Sequence, residues 1–158
     1  MYQEKFMQLA IETARKGIEA GCGGPFGCVI VRGNEVLAAT HNTVVRDNDP
    51  TAHGEVNAIR QACAKIGNFN LEGCELYTTS EPCPMCLGAI LWARIAKVYS
   101  AMNIDDARQI GFDDAPFYRE VQNYANRVPA QLLAVEFHRE PAAERLFADY
   151  QAMPKTAY

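Results

Sequence analysis

Positive charge is scarce and scattered in this 158-residue sequence: fifteen Lys and Arg stand against nineteen Asp and Glu, for a net charge of −4. No basic run interrupts that balance, so the electrostatic footprint with which proteins hold a DNA or RNA backbone is missing. Long apolar runs are absent too, and no window reaches the length of a membrane-spanning helix. The opening residues Met1-Tyr2-Gln3-Glu4-Lys5-Phe6 carry charge where a secretory leader would be apolar. A cytoplasmic protein without a membrane partner is therefore expected. Repeats, low-complexity tracts and linkers are missing as well. What remains is the composition of a soluble globular protein, 49% hydrophobic and 22% charged, in a chain of one-domain length with room for a core. A small, uncharged or cationic substrate fits it better than nucleic acid.

The pattern alternates helices and strands, which favours an α/β layered fold. Phe6, Leu9, Ala10, Thr13 and Ala14 fall at helical spacing and predict a helix over 2–20, stopped by Gly21-Cys22-Gly23-Gly24-Pro25. Strands at 27–31 and 36–41, joined by Arg32-Gly33-Asn34-Glu35, form a hairpin. A polar loop spans 42–50. The second helix starts near Thr51 or Ala52 and runs to about Lys65, with Ala52, Val56, Ile59, Ala62 and Cys63 as its buried stripe. Further on the pattern predicts a strand at 74–79, a helix at 84–93 and a strand at 97–101. Beyond these come helices at 104–109 and 117–127, a fifth strand at 131–137 and a helix at 142–151. Strands separated by helices imply parallel neighbours in the later part of the sheet.

Chemistry concentrates in two short motifs, His53-Gly54-Glu55 and Pro82-Cys83-Pro84-Met85-Cys86. His53, Cys83 and Cys86 supply three zinc ligands. A structural zinc site takes four protein ligands, whereas a catalytic one leaves a position for water. The reading is one Zn2+ per chain, with water or hydroxide as fourth ligand. Pro84 suits a first helical turn, which puts Cys83 and Cys86 on one face at a helix start. The partial positive charge there favours thiolate. Glu55, beside His53, is positioned to carry a proton from the water to a substrate. Each piece has a plainer reading alone: His53 as a capping or surface histidine, Glu55 as a first-turn glutamate, Cys-x-x-Cys as a redox pair. Their joint occurrence at two helix starts selects zinc. Cys22, Cys28, Cys63 and Cys74 stand singly and read as reduced core or near-core thiols.

The spacing His-x-Glu then Pro-Cys-x-x-Cys is the signature of zinc deaminases acting on nucleobases. With Gly24-Pro25-Phe26-Gly27, His41-Asn42, Asp49-Pro50-Thr51-Ala52, Glu81, Gly88-Ala89-Ile90 and Trp92-Ala93-Arg94, nearly the whole chain resembles the cytidine-deaminase-like superfamily, on the branch with cytosine, tRNA-adenosine and guanine deaminases. The resemblance implies a three-layer α/β/α fold with a mixed five-stranded sheet between helices. It also implies a single deaminase domain over 1–158 and a homodimer. Gly111-Phe112-Asp113-Asp114 and the terminal Tyr158 resemble the bacterial guanine deaminase family. There the C-terminal segment, 140–158 here, closes the active site, exchanged between subunits in some members.

Carried over by position, Asn42 holds the purine edge, Phe26 packs on the ring and the Gly54 backbone N–H bonds the substrate. Asp114 meets the N–H donors of guanine and joins Glu55 in catalysis, and Tyr158 covers the pocket. Taken singly, Phe26 also reads as core, Asn42 as a turn residue, Asp113 and Asp114 as a helix cap or solvated pair, and Tyr158 as an ordinary chain end. Position 54 departs from the family, which usually has Ala, and Thr79-Ser80 differ in detail. The implied reaction is hydrolysis of guanine to xanthine and ammonia, without DNA or RNA as partner. The alternatives are deamination of another base, nucleoside or related heterocycle (cytosine, guanosine, tRNA adenosine), or a non-catalytic zinc domain for assembly. That last reading needs a fourth protein ligand, with Cys74 or His41 the nearest.

Overall fold

The computed structural model describes residues 1–126 and 140–153. Among them, four strands form a mixed sheet in the order β2-β1-β3-β4. These are β1 (Gly27–Arg32), β2 (Glu35–His41), β3 (Glu75–Ser80) and β4 (Lys97–Met102). The β1 and β2 strands make the expected hairpin, turned at Gly33 with a φ of 60°, a conformation glycine adopts freely. β1 also pairs antiparallel with β3, while β3 runs parallel to β4. A parallel neighbour requires a crossover, and helix α4 (Pro84–Trp92) supplies it. The described sheet thus has four strands, not five; the segment 131–137, expected as the fifth, lies outside the described residues.

Side chains alternate across a strand, and on β1 both sets are buried. Cys28 and Ile30 share one core cluster with Leu76, Ala58, Ala62 and Ile90, beneath α3 (Gly54–Ile66) and α4. Val29 and Val31 share the other with Tyr77, Phe6, Met7 and Ala10, beneath α1 (Glu4–Glu19). Helices on both faces of a mixed sheet give the α/β layering that the element pattern favours.

Helix α3 departs in part from its predicted face: Ala62 is buried as expected, and Ile59 and Cys63 pack at the edge of the core. Gly54, Glu55, Ala58 and Ala62 are its buried residues, whereas Val56, Ile59 and Cys63 are half-covered. Gly54, Ala58 and Ala62 recur every four residues on one side, and their small side chains let the helix lie close on β1 and β2. Its start is also later than expected, because His53 is extended (φ −70°, ψ 155°) and serves as N-cap. A four-residue helix, α2 (Val44–Asp47), occupies part of the expected loop at 42–50. Helix α5 (Ile104–Gln109) carries a reciprocal cap between Asn103 and Asp106.

Helix α6 (Ala115–Ala125) begins two residues early, where the Asp113 carboxylate accepts the Ala115 N–H at 3.1 Å. Helix α7 (Pro141–Ala152) begins on its proline. The chain forms two compact units, Met1–Tyr118 and Arg119–Tyr158. The sheet and α1 to α5 belong to the first. None of the described helices is long and apolar enough to cross a membrane.

Candidate active site

Two helix N-termini supply the predicted ligands. His53 is the N-cap of α3 and Cys83 the N-cap of α4, both in extended backbone, and Cys86 sits in the first turn of α4 after Pro84. His53 Nδ1 lies 3.6 Å from Cys83 Sγ and 3.5 Å from Cys86 Sγ. Zinc–nitrogen and zinc–sulfur bonds of about 2.1 and 2.3 Å at a tetrahedral angle place those atoms about 3.6 Å apart. The triad therefore fits zinc in both spacing and donor softness. Among the described residues, no other cluster of three His, Cys, Asp or Glu could hold a metal. Neither proposed fourth ligand joins it. The His41 ring fills the space over Gly17 of α1, and Cys74 is part of the core under α3 and α4.

Electrostatics favour anionic sulfur. The Cys83 thiol is lowered to about 4, chiefly by a hydrogen bond from Cys86 and then by His53. Cys86 is pushed up in return, because it keeps the proton that it donates to Cys83 and because it is buried. His53 is raised by its hydrogen bond with Cys83. Glu55 is only 5% exposed. Its carboxyl is raised by burial, which penalises the charged form. Oε1 lies 3.3 Å from the Thr78 hydroxyl on β3, and Oε2 lies 3.4 Å from Cys86 Sγ. Glu55 thus stands against the ligand cluster without being part of it.

A cavity of about 380 Å³ opens over this cluster, in the size range of small-molecule sites. It brings together His53, Cys83, Glu55, Asn42, Phe26 and Asp114 from distant parts of the chain. Asn42 is buried; its backbone N–H donates to the Phe26 carbonyl at 2.8 Å and its Oδ1 accepts the Val44 N–H at 3.1 Å. With Oδ1 so engaged, the Nδ2 donor is the group left for a ligand. A side chain at position 23 would collide with that amide. The acidic pair divides its duties: Asp113 caps α6, while Asp114 lines the cavity, its carboxyl raised by burial and then by Cys83.

Phe112 and Thr78 bear on the site and had no role assigned from the sequence. Phe112 also lines the cavity and packs edge-to-face on Phe26, with ring centroids 4.8 Å apart. An aromatic residue inside the Gly-Phe-Asp-Asp segment was the available signal. Thr78 had none, since a threonine in a strand is ordinary. Gly54 is buried but does not line the cavity, and Tyr158 lies outside the described residues.

Gly54 has a steric reason. A Cβ there would stand 2.8 Å from the Phe26 carbonyl oxygen. Gly54→Ala gains helix propensity but forces backbone apart, and overpacking of this kind costs about 1–3 kcal/mol. The melting temperature of Gly54→Ala is expected to fall by about 2–4 °C per kcal/mol lost. An unchanged or higher value in a thermal melt would show that the Phe26 carbonyl yields without strain.

Residues 1–102 match the family described as the cytidine and deoxycytidylate deaminase zinc-binding region. Guanine deaminase of Bacillus subtilis (strain 168) is 45% identical over 146 residues, 92% of this chain and 90% of that protein. The X-ray structure of guanine deaminase from Bacillus subtilis superposes with a TM-score of 0.88 at 41% identity, covering 100% of this chain and 99% of that one. A tRNA-specific adenosine deaminase of Aquifex aeolicus (strain VF5) is 43% identical over 65% of this chain and 68% of its own length.

Proposed function

Because the chain belongs to the cytidine and deoxycytidylate deaminase zinc-binding family, we propose that it hydrolyses guanine, converting guanine and water to xanthine and ammonia. The observation that carries the reading is the likeness to a guanine deaminase along nearly the whole chain, whereas the likeness to the tRNA-specific enzyme covers about two thirds. The net charge of −4 also suits a small base better than RNA.

The chain's own groups divide the work. Bound zinc, held by His53, Cys83 and Cys86, supplies a Lewis acid that activates water. Glu55 takes a proton from the attacking water and delivers it to a ring nitrogen beside the amine-bearing carbon; it then carries the remaining hydroxyl proton to the amine, which leaves as ammonia as the carbonyl forms. Burial raises its carboxyl toward the range in which one group both accepts and returns a proton. Asn42 donates to an acceptor on the purine edge, and Asp114 accepts from the N–H donors of guanine. Phe26, braced by Phe112, packs on the ring.

On this reading the whole chain is one catalytic domain in a cytoplasmic homodimer, and the C-terminal segment 140–158 serves to close an active site, that of its own subunit or of the partner. Exposed Leu87 and Leu91 on α4, and Leu146 and Phe147 on α7, provide apolar surface for subunit contacts.

Incubating zinc-loaded protein with guanine and following xanthine tests the reading; no turnover at micromolar enzyme rejects it. Cytosine, adenine, guanosine and a tRNA substrate in the same assay separate it from the alternatives. Asp114→Asn is expected to lower kcat/KM for guanine about 10- to 100-fold, since hydrogen bonds to charged groups contribute about 1.5–3 kcal/mol. Zinc content should be unchanged; full activity in this variant would remove Asp114 from the site.

A further inference from the structure

Asn57 stands one turn into α3, where asparagine is a poor helix former. Its backbone N–H makes the helical bond to the His53 carbonyl at 2.9 Å. Its side chain does something else. Nδ2 donates to the His41 carbonyl at 3.0 Å, the Thr43 hydroxyl at 3.0 Å and the Ala52 carbonyl at 3.3 Å. The two carbonyls can only accept, so they determine the orientation of the amide, whose two protons are shared among the three contacts. His41 and Thr43 flank Asn42 at the end of β2; Ala52 precedes the ligand His53. A second tie runs in parallel, from the Thr43 N–H to the Ala52 carbonyl at 2.9 Å. Thr43 itself is buried. One side-chain amide thus joins the strand end that carries Asn42 to the turn that carries His53.

We propose that Asn57 is a positioning residue for the reaction: it sets the separation between the Asn42 amide and the ligand His53, and so the place of the base relative to Glu55. The inference rests on the reading that Asn42 holds the base. Asn57 touches neither zinc nor substrate and acts through Asn42. An alanine at 57 keeps α3 and frees the 41–43 segment from it. A shift of about 1 Å in a substrate-positioning group costs about 100-fold in rate.

A double-mutant cycle reads this coupling. On enzyme quantified by bound zinc, Asn57→Ala should lower kcat/KM for guanine about 100-fold in the wild-type background. In an Asn42→Ala background, where the positioned group is already gone, the same change should cost less than about threefold. Equal losses in the two backgrounds would overturn the proposal, because a merely structural role is indifferent to Asn42. Thr43→Val removes one acceptor only and gives the same cycle if Asn57→Ala does not fold; Thr43→Ser should restore activity.

Hydrogen exchange tests the tie without any substrate. The amides of Thr43 and Val44 should exchange about tenfold faster in Asn57→Ala or Thr43→Val, while those of β1 and β3 stay protected. Unchanged exchange at 43 and 44 would overturn the tie. If wild type turns over another base instead of guanine, the cycle is run on that base. If it turns over none, the functional reading fails and exchange alone decides the tie.

Discussion

Glu55→Gln is expected to lower guanine turnover about 10²- to 10⁴-fold, toward the upper figure because one carboxyl serves both proton transfers. Zinc content should stay stoichiometric, since Glu55 stands beside the ligand group and not within it. Steady-state rates on enzyme of measured zinc content check this, and a loss under tenfold would remove Glu55 from the proton path.

The same substitution has an opposite effect on stability. Burial raises the carboxyl of Glu55 above its ordinary 4.5 in the folded chain. A carboxyl shifted upward contributes stability below its unfolded pKa and loses it as pH rises through the folded value. Glutamine keeps the shape and has no charge to desolvate. Zinc-free Glu55→Gln should therefore melt above zinc-free wild type at neutral pH, with the gap closing in acid. Thermal melts of the two proteins over that pH range make the comparison. A lower melting temperature for the variant at neutral pH would mean that burial does not dominate at Glu55.

Loss of a zinc ligand should be more severe still. Cys86→Ser replaces a soft, wholly buried sulfur with a hydroxyl. Zinc affinity should fall well beyond the roughly 10- to 100-fold cost of losing a ligand's outer hydrogen-bond partner, and turnover should drop to background. Metal analysis after gel filtration reads the first effect and the xanthine assay the second. Cys74→Ala is the control: Cys74 is also buried but lies in the core cluster, so zinc should be retained. Zinc retention should also weaken as pH falls, because protons compete for His53, Cys83 and Cys86. Cys83, lowered to about 4 by Cys86 and His53, is ready as thiolate through the neutral range.

The zinc ligands were legible because their chemistry is local. A histidine and a Cys-Pro-Met-Cys run at helix starts declare both ligand type and orientation within a few residues, and the structure has His53 and Cys83 at the N-caps. The hairpin and the parallel step were legible for a similar reason, since turn residues and an intervening helix prescribe them. The face of α3 was legible only in part. Apolar periodicity pointed rightly to Ala62, and to Ile59 and Cys63 at the core's edge, but it put Val56 inward and passed over Gly54 and Ala58, which the sheet takes. How closely a helix can approach depends on what it packs against, which no window of its own sequence contains. Asp113 and Asp114 looked equivalent; one hydrogen bond to Ala115 separates a cap from a cavity residue.

By itself, then, the sequence determined the α/β class, the metal triad and the glutamate beside it, because ligand identity and helix-start spacing follow from neighbours in the chain. Tertiary structure alone decided how those parts meet. It brings Asn42, His53, Cys83 and Asp114 around one cavity, buries Glu55 against Thr78 and Cys86, and joins two loops through Asn57. Such contacts link residues from different elements, and their distances are set by how closely small residues allow helices and sheet to pack.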